Sequence, residues 1–120
     1  MDDLDDLDEL VGEWLTLPDV AERLDLDVGR VRRLIQEGDL VAVRRGERKV
    51  PSIPAALLKD GQPLAELRGT FSVLADAGFV AAEALRWLFT PDDSLPGTPI
   101  EALRAGHKTE IRRRAQALAF

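Results

Sequence analysis

Val20, Ala21 and Leu24 recur at helical spacing, and Val28, Val31, Leu34 and Ile35 do so again a few residues later. The first set predicts a helix starting near Pro18, where proline is tolerated because its missing N–H would have no partner there. Asp25-Leu26-Asp27 then reads as a tight turn, with Asp27 as N-cap of a second helix from about Val28 to Glu37. Gly38 suits the left-handed position that ends such a helix. Next come a β-branched run, Leu40-Val41-Ala42-Val43-Arg44, a turn Arg45-Gly46-Glu47, and Arg48-Lys49-Val50-Pro51, which together predict a β-hairpin with a basic tip and a basic second strand. Pro54 to Lys59 reads as a short helix ended by Asp60-Gly61.

The rest of the chain is helical in pattern. Leu67, Phe71 and Leu74 form one stripe, closed by Gly78; Ala84, Leu85, Leu88 and Phe89 form another over 80–89. Thr98-Pro99-Ile100-Glu101 fits a capping box, with that helix ending near Gly106. A last helix from about Lys108 places Ile111, Ala115 and Leu118 on one face. Trp87, Leu88 and Phe89 are expected in the core. The pattern predicts a mainly α protein: an acidic, disordered tail (1–13), two helices with a small β-hairpin wing (14–60), and a helical C-terminal region packed on them (61–120). Leu4, Leu7, Leu10 and Val11 have helical spacing too, so a helix docking on a partner is the alternative for the tail.

Composition narrows the classes. The absence of cysteine excludes disulfides and thiolate metal sites. The acidic start is unlike a secretory signal, and no apolar run spans a membrane, which points to the cytoplasm. No convergent metal ligands, phosphate loop or nucleophile elbow is visible, so neither an enzyme, a cofactor nor a small-molecule substrate is expected. His107 reads as a surface or capping residue, and Asp92-Asp93 as turn chemistry.

The net charge of −6 argues against a nucleic-acid partner until its distribution is read. Residues 1–13 hold seven acids and no base, and the remainder carries 15 acids against 16 bases. Residues 28–50 hold seven bases against three acids. A local basic face, not the chain total, governs the attraction to a polyanion.

At 100° per residue, Val28, Val31, Leu34 and Ile35 share one side of the second helix, and Arg33 lies nearly opposite. Gly29, Arg30 and Gln36 flank it, with Arg32 on the shoulder. Such a helix fits the major groove of duplex DNA, where Arg30 and Arg33 can fork onto guanine and Gln36 can read adenine or meet phosphate. Gly29 keeps the helix start slim. Arg44, Arg45, Arg48 and Lys49 suit phosphates or a minor groove. Arg112, Arg113 and Arg114 form a second basic run, a candidate supplementary contact. The acidic tail, beside this patch in one short chain, can fold back on it and compete with DNA.

The segments 15–24 and 28–40 resemble the MerR-type and excisionase-type winged helix-turn-helix. Over residues 15–120 the chain resembles a family of small actinobacterial DNA-binding proteins known as substrates of the membrane Ser/Thr kinase PknL. The resemblance rests on Leu40-Val41-Ala42-Val43-Arg44-Arg45, Arg86-Trp87-Leu88-Phe89-Thr90-Pro91-Asp92 and Arg113-Arg114-Ala115-Gln116-Ala117-Leu118. It implies a winged helix-turn-helix, a helical C-terminal region, and sequence-preferring duplex DNA binding by a transcriptional regulator or nucleoid-associated factor in the cytoplasm. No Ser, Thr or Tyr precedes Trp14, so any phosphorylation falls at Thr16 or beyond. Residues 78–106 also resemble the toxin-binding domain of Xre-type antitoxins, which gives a second reading: a protein-binding adaptor acting through 78–120. A homodimer or a protein partner through the C-terminal helices is expected on either reading.

Overall fold

The computed structural model describes residues 3–118, with side chains from Leu7 onward. The first element is a helix, α1 (Asp3–Val11), where a disordered tail was expected. The acids alone would keep this segment unfolded, but Leu7 is 1% exposed and α1 packs on a helix of the C-terminal half. Burial of one face supplies what the charged sequence lacks.

A three-residue strand, β1 (Trp14–Thr16), leads into α2 (Leu17–Leu24). Thr16 caps α2 reciprocally with Asp19: each backbone N–H donates to the other's side chain, at 3.2 and 3.3 Å. The helix therefore starts one residue before Pro18. It ends at Asp25, which takes the left-handed conformation (φ 57°). The second helix, α3 (Val28–Gln36), is capped by Asp27 as the spacing predicts.

The hairpin strands are β2 (Val43–Arg45) and β3 (Val50–Pro54), paired antiparallel with Arg44 opposite Pro51. Gly46 to Lys49 form the turn, with Gly46 and Lys49 both at positive φ. Arg48 and Lys49 thus belong to the tip, and β3 itself carries no base, a correction to the expected basic second strand. β1 pairs on the other side of β3, giving a three-stranded sheet ordered β1-β3-β2. Two helices meeting through a short turn, followed by this hairpin, make a winged helix-turn-helix.

The expected helix over 54–59 is only a 3₁₀ turn, Ala55–Leu57. Leu58–Lys59 (β4) and Gln62–Pro63 (β5) form a small ladder around Asp60-Gly61, both at positive φ (55° and 75°). An Asp-Gly pair favours such a hairpin turn, and here that preference wins over helix termination.

Four helices complete the chain: α4 (Leu67–Asp76), α5 (Ala81–Phe89), α6 (Pro99–Arg104) and α7 (Lys108–Ala117). α6 has its capping box, with Glu101 N–H donating to Thr98 Oγ1 at 3.2 Å. Ile111 and Ala115 of α7 are fully buried, whereas Leu118 lies past the helix end and is exposed. α4 packs on α7, α1 on α5, and α5 and α7 on α6. Leu7, Val31, Ile53, Leu74, Leu85 and Ile111 all join one buried cluster, so the two halves share a core. Arg104 ties them further, donating to the carbonyls of Ala56 and Leu58 at 2.9 and 2.6 Å.

Candidate nucleic-acid interface

α3 buries Val31 fully and Val28, Leu34 and Ile35 in part. Its other side presents Arg30, Arg32, Arg33 and Gln36 to solvent. Both ends of the helix are locally specified. Asp27 Oδ1 accepts from the Arg30 N–H at 2.7 Å. A Cβ at position 29 would lie 3.2 Å from that same oxygen, so Gly29 leaves room for the cap. At the far end Gly38 adopts φ 86°, and Asp39 N–H reaches back to Leu34 O at 2.9 Å. Asp27→Ala is expected to destabilise the protein by about 1 kcal/mol in a denaturant melt, without changing the residues that α3 presents.

The hairpin meets α3 across a groove of about 300 Å³. Arg32 and Gln36 line it from α3, and Arg44 lines it from β2, above a floor that includes Ile35 and Pro51. Arg44 also donates to Lys49 O at 3.2 Å, bracing the tip. Arg48 and Lys49 are exposed on the turn. Among the described residues, no carboxylate forms an ion pair with Arg30, Arg32, Arg33, Arg44, Arg48 or Lys49.

Arg45 behaves differently. Its Nε lies 2.6 Å from Asp8 Oδ1 of α1, and its guanidinium sits 4.5 Å above the Trp14 ring. Arg112 and Arg114 are also engaged. Arg112 pairs with Glu66 at 2.7 Å and lies over Gly69, where a Cβ would collide with it. Arg114 pairs with Glu110 at 2.9 Å and Asp92 at 3.6 Å, and donates to Ser94 Oγ at 2.6 Å. Arg113 remains largely exposed, 3.8 Å from Glu110. The run thus fastens α7 to its neighbours at two positions and offers one arginine to solvent.

Two further groups were not singled out by the sequence. Arg68 of α4 lies 2.6 Å from Asp39 and 3.5 Å from Glu37, just past the end of α3. Its hydrogen bond to Asp39 raises the guanidinium pKa above its ordinary value. It joins the C-terminal half to the helix and offsets two acids placed at the negative end of the helix dipole. Trp14 is the other, as the platform under Arg45. Neither has a local signature, because both act across more than 25 residues of chain.

Among the described residues there is no group of three His, Cys, Asp or Glu that could hold a metal, and no helix is long and apolar enough to cross a membrane. His107 is exposed and makes no side-chain cap for α7. Asp92 accepts from the N–H and hydroxyl of Ser94 at 2.9 and 2.7 Å, which holds its carboxyl below the usual range and marks a turn.

Residues 2–66 match the family model described as "DNA-binding protein Rv2175c, wHTH domain", and residues 64–119 match "Rv2175c C-terminal domain of unknown function". The chain belongs to the Rv2175c family. It is 40% identical over 117 residues to the DNA-binding protein Rv2175c of Mycobacterium tuberculosis, covering 87% of this chain and 79% of that protein. A solved structure described as the NMR structure of Rv2175c is similar at a TM-score of 0.81 and 38% identity, covering 90% of this chain and 82% of the other. In the Rv2175c family the first model includes the acidic segment, which agrees with α1 folding as part of the structure. Residues 78–106, the basis of the antitoxin likeness, fall within the Rv2175c C-terminal domain.

Proposed function

We propose that this protein binds duplex DNA, with α3 entering the major groove and the hairpin following the adjacent backbone. One observation carries the reading: Arg30, Arg32, Arg33 and Gln36 are exposed on one helix without carboxylate partners, beside a hairpin that adds Arg44 across a shared groove. The name of the Mycobacterium tuberculosis relative supports it. Arg30 and Arg33 contact base edges, and Gln36 reads adenine or meets phosphate. Arg32, Arg44, Arg48 and Lys49 hold phosphates and set register. Gly29 serves the contact indirectly, by permitting the Asp27 cap.

On this reading the protein acts in the cytoplasm, on the nucleoid, as a sequence-preferring regulator or architectural factor. A homodimer would double the half-site and supply the specificity that one module of this size lacks. If the PknL likeness extends to phosphorylation, the acceptor lies at Thr16 or beyond.

The test is fluorescence anisotropy of a labelled duplex titrated at several salt concentrations. Each neutralised phosphate contributes about −0.9 to the log–log slope, and four to six contacts give a slope of about −4 to −5. A flat salt dependence, or no binding at low salt, refutes the proposal.

A further inference from the structure

Arg44 and Arg45 are neighbours on one strand, so their side chains leave opposite faces of the hairpin. Arg44 lines the groove shared with α3. Arg45 is on the far face, stacked on Trp14 and paired with Asp8. A hairpin placed in a minor groove about 6 Å wide has a row of phosphates on each side. Its two faces therefore address two strands, and each face here carries one arginine.

We propose that Arg45 on its Trp14 platform is a second phosphate-binding site of the wing, and that Asp8 of α1 occupies it as an internal anion which DNA must displace. This rests on the DNA-binding reading above and adds to it the site, the competing group and the cost of entry. A carboxylate and a phosphodiester present the guanidinium with similar pairs of acceptor oxygens, so one can replace the other. The pair is accessible to exchange, with 29% of the Arg45 side chain and 42% of the Asp8 side chain exposed. α1 is held separately by Leu7, buried against the C-terminal half. Losing the ion pair thus does not require losing the helix. The other acids of α1 lie on the same short element as Asp8, but screening over about 8 Å at physiological salt weakens those farther from the wing. Asp8 is the acid in contact.

The experiment measures affinity for a labelled mixed-sequence duplex at low salt, using the full chain. Asp8→Asn is expected to tighten binding about two- to five-fold, the range for releasing a half-exposed ion pair. Asp8→Ala, which retains a good helix former, is expected to do the same. Glu9→Gln removes the same charge from an exposed neighbour with no ion pair to a described residue, and should leave affinity nearly unchanged. Arg45→Ala should weaken binding, and adding Asp8→Asn to it should give no recovery. The proposal is overturned if Asp8→Asn is neutral or weakens binding, which would make the pair a structural tie. It is also overturned if Glu9→Gln tightens binding as much, or if the gain survives in the Arg45→Ala background, since either result means a general field effect. Absence of DNA binding by every form, wild type included, overturns the underlying reading instead.

Discussion

Replacing Arg30 and Arg33 together by alanine is expected to weaken duplex binding by about 30-fold or more, because each arginine placed on a base edge is worth about 1–3 kcal/mol. The two lie in the N-terminal two-thirds of α3, the part that approaches bases in a helix-turn-helix. Neither pairs with a described carboxylate, so truncation strands no charge. The Asp27 cap is made to the backbone N–H of position 30 and survives the change. Stability should therefore stay within about 0.5 kcal/mol, as for other exposed positions. The loss should fall mainly on preferred over random duplex, whereas Arg44→Ala should weaken both alike and flatten the salt slope by about one unit. Equal affinity for wild type and double variant would move recognition off α3 altogether.

Leu85→Ala carries the largest expected effect on stability, a loss of about 2–5 kcal/mol. Leu85 is fully buried in α5, the helix that packs on α1, α4 and α6. The change leaves a void where elements from both halves meet. Two tryptophans report the outcome, Trp14 beside the wing and Trp87 in α5, each partly buried against the core. In single-tryptophan variants, both transitions should shift to lower denaturant together, with an unchanged dependence on denaturant. A Trp14 transition that stays in place while the Trp87 transition moves would mean that the two halves unfold separately, against the single core described above.

The elements that were legible in the sequence are those whose signals are local. Asp27 and Gly38 bound α3, Thr98 and Glu101 start α6, and the apolar stripes locate α4, α5 and α7. Each is a relation between residues at most a few positions apart. β1 was missed because three residues show no alternation, and its strand partner lies some 38 positions away. α1 departs from the expected tail for a related reason. Its own composition favours a solvated coil, and only the surface of α5 and the arginine of the wing give it somewhere to rest. Within the candidate interface, the arginines of α3 were identified by face, which periodicity decides. The separation of Arg44 from Arg45 is not, because Arg45 reads as part of the turn, and alternation between faces applies only once it lies on β2. The Asp-Gly pair at 60–61 suits a helix stop and a ladder turn alike, and only the pairing of β4 with β5 decides between them.

β1 also protects the molecule in a way that its length does not suggest. It lies along one side of β3, while β2 covers the other. A chain shortened to begin at α2 would keep every arginine of α3, yet leave the N–H and C=O groups along that side of β3 open. An uncovered strand margin is a template for another chain, so such a fragment would tend toward aggregation rather than behave as a minimal reader of DNA. The short lead segment thus closes that margin of the sheet.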